Sequence, residues 1–317
     1  MSRAEKCALS LWARRNPQCR RSSDCSRTDT KSSPFGLNRI SPPAAAIKCI
    51  SPAIKQFALE HGLRVEQPKK IKTQEAKELF GSYDAEVAVV VAYGRILPAE
   101  FLRAPRRGCI NVHFSLLPLY RGAAPANWAI VNGEAKTGVT TMFIEEELDS
   151  GPILLQRETI IGQTETAPEL MQRLAVIGAD LLSETFTQLD GITPRPQHDQ
   201  AATFAPLLTK QHGLVNWLNN ATTIERCVRG FQPWPSAYTH YKSHRLILWK
   251  ADVTEPTSTT GRAGEVLVAH GDDLVVKCGD ETALRLIEVQ PEAKRRMSIR
   301  DFLNGTHLKV GDRFGEV

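Results

Sequence analysis

A chain of 317 residues with 42% hydrophobic, 7% aromatic and 24% charged residues has the composition of a globular protein and the length for two ordinary domains. Forty basic against thirty-five acidic side chains leave a net charge of +5, a mild excess that suits an anionic partner without requiring one. No run of about eighteen apolar residues occurs, which excludes a hydrophobic membrane-spanning helix; seven scattered cysteines with no C-x-x-C pair fit reduced thiols better than a disulfide frame or zinc knuckle.

Residues 1–40 are rich in Arg and Ser, poor in acid and without apolar periodicity. Taken alone they resemble a mitochondrial-type presequence or a basic tail, and residues 1–45 are set apart as an atypical segment. From Ser51 the pattern becomes regular. The stretch SPAIKQFALEHG predicts a helix with Ser51 as N-cap, Pro52 at the first helical position and Gly62 as its stop. Residues 64–68 (RVEQP) read as a short strand and TQEAKELF as a short helix. The Val/Ala run AEVAVVVAYG, 85–94, has the character of a strand covered on both faces in a parallel sheet.

GCINVHF follows as a strand, APANWAIVNGE as a helix, and TGVTTMFIEEELDSGPILLQRETII as two strands around a polar turn. The segment TAPELMQRLAVIGADLLSETFTQLDG predicts a long amphipathic helix, with a Thr166/Glu169 capping box and Gly191 at its end. Alternating strands and helices over 46–194 predict an α/β domain with an open, mostly parallel, Rossmann-like sheet. Residues 195–206, rich in Pro and polar residues, read as a linker. Over 207–317 one helix is followed by short apolar runs about ten residues apart, as in a small OB-like β-barrel.

Ligand crevices of open α/β sheets lie beyond the C-terminal strand ends. Asn111 and His113 fall where a strand gives way to its loop, two residues apart and so on one side. Asp149 lies in the turn between the next two strands. An amide that donates to an oxyanion, an imidazole that donates or takes a proton near neutral pH, and a carboxylate that stabilises the charged imidazole are complementary roles. Each residue also has an ordinary structural reading: Asn111 as a turn cap, His113 as a core histidine bonded to a carbonyl, Asp149 as an Asx-turn residue. Spacing does not decide between the two.

The string NVHFSLLPLYRGAAP (Asn111–Pro125), with NGEAKTGVT and ELDSGPIL after it, closely resembles the folate-dependent formyltransferases. The likeness runs from about Ser51 to the C-terminus and includes APLLTKQHGLVNW, CVRGFQPWPSAY and VQPEAKRRMSIRDFLNG, which are similar to the C-terminal domain of members that act on tRNA. It implies transfer of a formyl group from 10-formyltetrahydrofolate to the amino group of methionyl-initiator tRNA, with an amino-sugar nucleotide as the alternative acceptor. It further implies Asn111, His113 and Asp149 as the catalytic trio, with no metal. Ser115, Leu116, Leu117 and Pro118 would line the folate site, with Ala92, Tyr93, Gly94, Ile96 and Leu97 as their counterpart at the previous strand's end. Arg121 and Gly122 would form a lip for the acceptor end of the tRNA. The chain is read as a cytoplasmic monomer, with the mitochondrial matrix as the alternative.

The same family opens with a strand, a Gly-Thr-Pro turn, a helix and a second strand, and residues 1–40 match none of these. A frame change or a mis-assigned start in the coding sequence accounts for the difference, and a remnant without turnover is the reading that competes with an active enzyme. Basic residues of the C-terminal part (Arg226, Arg229, Lys242, Arg245, Lys250, Lys294, Arg295, Arg296, Arg300) are nearly balanced by acidic ones, and His240 and His244 are read as surface histidines.

Overall fold

The computed structural model describes residues 53–315 except Arg95 and 257–260. The segment 1–45, the caps assigned to Ser51 and Pro52, and Cys7, Cys19, Cys25 and Cys49 lie outside the described residues. The rest form two compact units, described in turn, within 1–107 and 108–317.

In the first unit α1 (Ala53–Glu60) ends where Gly62 takes φ +66°, a left-handed turn that glycine adopts without a side-chain clash. Helix α2 (Gln74–Gly81) is capped by Thr73, whose hydroxyl accepts from the Ala76 amide. Its Phe80 packs on the buried Phe101 of α3 (Ala99–Arg103), with ring centroids 4.7 Å apart. Residues 64–68 do not form the expected strand. Pro68 lacks an N–H, and Arg64 and Glu66 pair with each other at the surface. The 85–94 run is a strand only over β1 (Ala88–Val90), because Val91 is exposed and Ala92 turns the chain at φ +49°.

The second unit begins with β2 (Cys109–His113), β3 (Arg121–Gly122), α4 (Pro125–Val131), β4 (Lys136–Phe143) and β5 (Ile153–Ile160). Strand β4 lies between β2 and β5, antiparallel to both. Helix α5 (Ala167–Gln188) carries the capping box read from Thr166 and Glu169. It buries Leu170, Leu174 and Leu181 with Val112 and Val139 of the sheet, each large apolar side chain contributing about 1.5–3 kcal/mol. Gly178 lets the helix approach: a Cβ there would lie 3.0 Å from Val112 Cγ1. The parallel pair in this unit is short, β3 with β6 (Phe204–Ala205).

Helix α6 (Ala221–Gly230) joins this layer to a second sheet. Asn127 of α4 donates to the Gly230 carbonyl at 2.7 Å. The second sheet runs β7 (Ala237–Tyr241), β8 (His244–Thr254), β11 (Ala283–Pro291), β10 (Asp273–Lys277), β9 (Val266–His270), with β12 (Met297–Ser298) on β11 and α7 (Ile299–Asn304) after it. All these pairings are antiparallel. Among the described residues β7 and β9 do not pair directly; the segment 311–315 lies against both, the Val266 N–H donating to the Asp312 carbonyl at 2.8 Å and the Gly315 N–H to the His240 carbonyl at 2.9 Å. The α/β class with an all-antiparallel C-terminal part holds. Cys109, Cys227 and Cys278 are thiols outside any disulfide; burial pushes the first two up to about 11 and the third to about 12, so they behave as small apolar side chains.

Candidate active site

Strand β2 ends with Asn111 and His113 on one side, and both reach the Asp149 carboxylate. Asn111 Nδ2 donates to Asp149 Oδ1 at 3.4 Å, and His113 Nδ1 stands 3.7 Å from Asp149 Oδ2. The main-chain N–H of Gly122 donates to the same Oδ2 at 2.9 Å. Asp149 holds φ +50°, a left-handed conformation that is uncommon for a residue other than glycine and one that Asp tolerates better than most. The turn is forced by Gly151 as well, whose Cβ, were there one, would lie 2.0 Å from the Phe143 carbonyl oxygen.

The second imidazole nitrogen is engaged too. His113 Nε2 donates to the Tyr120 carbonyl at 2.9 Å, which fixes Nε2 as the protonated nitrogen of the neutral ring. Burial pushes the His113 imidazole below its ordinary value, against the opposing pull of Asp149 and the Tyr120 carbonyl. The neutral ring is thereby favoured, with a bare Nδ1 toward the carboxylate. Such a nitrogen is a proton acceptor beside the group that stabilises the proton once taken. The 3.4 Å contact of Asn111 is long for a hydrogen bond, and its amide has a second N–H to offer.

Two family models divide the chain: "Formyl transferase" matches residues 31–186 and "Formyl transferase, C-terminal domain" matches 207–307. The chain is 46% identical to a methionyl-tRNA formyltransferase of Caldanaerobacter subterraneus over 265 residues, 81% of this chain and 84% of that one. It belongs to the methionyl-tRNA formyltransferase family. It is thus a formyl-transferring enzyme. Two solved structures share the fold at low identity. HypX from Aquifex aeolicus in complex with tetrahydrofolic acid has a TM-score of 0.55 and 18% identity, over 72% of this chain and 40% of that one. An N-formyltransferase from Helicobacter canadensis in complex with folinic acid and dTDP-3-aminofucose has a TM-score of 0.56 and 16% identity, over 74% and 81%.

Within this formyltransferase fold the segment after β2 is held from below. Ser115 is fully buried and its hydroxyl donates to the Leu119 carbonyl at 2.6 Å. Thr140 Oγ1 donates to the Ser115 carbonyl and accepts from the Leu117 N–H, while Gln156 Nε2 donates to the Leu117 carbonyl. Leu117 packs with Met142 and Ile153. Ser115 and Leu117 thus shape the loop from inside, whereas Leu116 and Pro118 are half-buried and Leu119 is exposed. In the first unit, Ile96 is 74% exposed, Ala92 and Gly94 take φ +49° and +68°, and Tyr93 and Leu97 are half-buried.

Arg121, expected at an exposed lip, is instead buried. Its guanidinium donates to Gln197 Oε1 at 3.0 Å and to Asp199 Oδ1 at 2.8 Å. Gly122 takes φ +127°, and a Cβ there would lie 2.5 Å from the Ala205 carbonyl oxygen, so β3 and β6 meet only at a glycine. Sequence reasoning missed four groups at this site: the Tyr120 carbonyl, the Gly122 N–H, Thr140 and Gln197. The signal was weak for each, since a main-chain group or a long-range amide leaves no local pattern.

The C-terminal basic residues are mostly engaged. Arg229 pairs with Glu225, Arg300 with Asp272 and Arg296 with Glu288. Arg245 lies over the Tyr238 ring at 4.1 Å, Arg296 over Trp249 at 5.1 Å and Lys242 over Tyr241 at 5.1 Å. His240 and His244 sit on adjacent strands of the β7–β8 hairpin rather than on one helix face.

Proposed function

We propose that this chain transfers the formyl group of 10-formyltetrahydrofolate to the α-amino group of methionyl-initiator tRNA, using Asn111, His113 and Asp149. The observation that carries it is the single Asp149 carboxylate shared by Asn111, His113 and Gly122 inside the matched segment. The free amine of the methionyl ester attacks the formyl carbon and a C–N bond forms. The amine's proton passes to His113 Nδ1, which burial keeps neutral and ready. The resulting imidazolium is stabilised by Asp149, with Nε2 held on Tyr120 throughout. Asn111 donates its free N–H to the oxyanion of the tetrahedral intermediate, a contact worth about 3–4 kcal/mol of barrier in comparable sites. When the bond from the formyl carbon to N10 of the folate breaks, His113 returns the proton to that nitrogen. Atoms and charge balance without a metal or a covalent enzyme intermediate.

The half-buried Leu116 and Pro118 are apolar faces that would receive the pterin. Arg121, being buried, acts through its neighbours rather than on a phosphate. The domain division that goes with this reading is 46–194 for catalysis, 195–206 as connector and 207–317 for the tRNA. No described helix is long and apolar enough to cross a membrane, and the reading places the chain in the cytoplasm as a monomer. The experiment is formylation of charged initiator tRNA by the full chain, beside a dTDP-amino sugar and the His113→Ala variant. Formylated methionyl-tRNA, absent with the variant and with no sugar product, is the expected result. Sugar formylation instead, or a folded chain with no turnover on either acceptor, contradicts it.

A further inference from the structure

We propose that Gln197 is a positioning residue for Asp149, and that residues 195–205 are part of the catalytic scaffold rather than a passive connector; this rests on the role of Asp149 given above. The Gln197 side chain makes three bonds. Its Nε2 donates to the Asp149 carbonyl at 2.9 Å and to the Gly151 carbonyl at 2.7 Å, and its Oε1 accepts from Arg121 Nε at 3.0 Å. Both amide protons are thus spent on the two carbonyls that flank Ser150, in a turn whose first residue holds φ +50°. A left-handed non-glycine residue persists only where its surroundings over-determine it. Gln197 supplies that restraint on the main chain, and Gly122 N–H supplies it on the carboxylate.

The restraints close into a circuit. Asp149 Oδ2 is bound by Gly122; Gly122 follows Arg121; Arg121 binds Gln197; Gln197 binds the Asp149 main chain. The rest of the segment is anchored along its length. Arg195 and Ile153 exchange both main-chain bonds at 2.8 Å, the Arg121 N–H donates to the Thr203 carbonyl, and Ala205 pairs with Gly122. A tether with no positional role would not be bound at each of these points.

Three variants test this in the full chain. Gln197→Glu keeps the length and an acceptor for Arg121, but turns carboxylate oxygen toward two carbonyls. Gln197→Met keeps the length with neither donor nor acceptor, and Gln197→Asn is one methylene short. Formyl transfer is measured at varied folate and charged tRNA, and the His113 imidazole is followed by 15N NMR through pH. Facing that ring are the Asp149 carboxylate from its turn and the Tyr120 carbonyl from the loop after β2. Glu and Met variants should lose kcat roughly 10- to 100-fold, with both KM values within about twofold. Their His113 titration should move to lower pH, because a displaced Asp149 no longer opposes burial. The Asn variant should fall between them and the parent.

An unmoved His113 titration, or a rate loss matched by lost folded protein or by a rise in KM, overturns the proposal. Should the Glu variant not fold, the Met variant is read alone. If His113→Ala retains full turnover, the catalytic reading fails instead, and the His113 titration in the Gln197 variants still decides whether Gln197 positions Asp149.

Discussion

Gly122 and Asp149 are bound to each other across 27 residues: the Gly122 N–H donates to Asp149 Oδ2 at 2.9 Å. The same glycine is the point where β3 meets β6, with φ +127° and no room for a Cβ beside the Ala205 carbonyl. Gly122→Ala should therefore strain the backbone and push the two strands apart, costing about 1–3 kcal/mol of stability. Formyl transfer should fall by more than the folded fraction does, because the donor to Asp149 moves with the strand. Urea unfolding and kcat on the same samples check both halves.

The buried His113 gives stability a pH dependence whose sign follows from its depressed folded-state pKa. Below the ordinary value of about 6.5, the unfolded chain binds a proton that the folded imidazole refuses. Stability contributed by His113 is therefore complete above about pH 6.5 and declines as pH falls from there toward the folded-state value. Replacing His113 by Asn should flatten the unfolding free energy between pH 7 and 5, relative to the parent. A slope unchanged by the substitution would mean that His113 titrates alike in both states.

Thr140 is wholly buried and serves the Ser115 carbonyl, the Leu117 N–H and Gln156 at once. Thr140→Val keeps the shape and leaves the Leu117 N–H without its partner, an outcome that costs about 1–3 kcal/mol. The loop carrying Leu116 and Pro118 should loosen with it. The expected result is a lower unfolding midpoint and a raised KM for the folate donor, with KM for tRNA much less affected.

Much of this site was legible in one dimension, and the reason is local. Asn111 and His113 lie two apart on a strand, so their common side follows from the period of two. The Thr166/Glu169 capping box and the β4–β5 pair also rest on contacts between near neighbours. Arg121 was misplaced because its partners, Gln197 and Asp199, are 76 and 78 residues away, and a basic side chain in a loop otherwise reads as solvated. The tautomer of His113 was not legible for a similar reason. A main-chain carbonyl, that of Tyr120, decides which nitrogen carries the proton, and no side-chain pattern announces it. The strand expected at 64–68 failed because alternation alone supplies no pairing partner.

The most direct test of the whole account is a double-mutant cycle in single-turnover formyl transfer with His113→Ala, Asp149→Asn and the two combined. If the carboxylate acts by stabilising the proton that His113 has taken, each single change should cost roughly 100- to 1,000-fold, and the double change little more than the worse single one. If the double variant instead loses the product of the two factors, Asp149 and His113 act independently and the shared-proton mechanism is wrong.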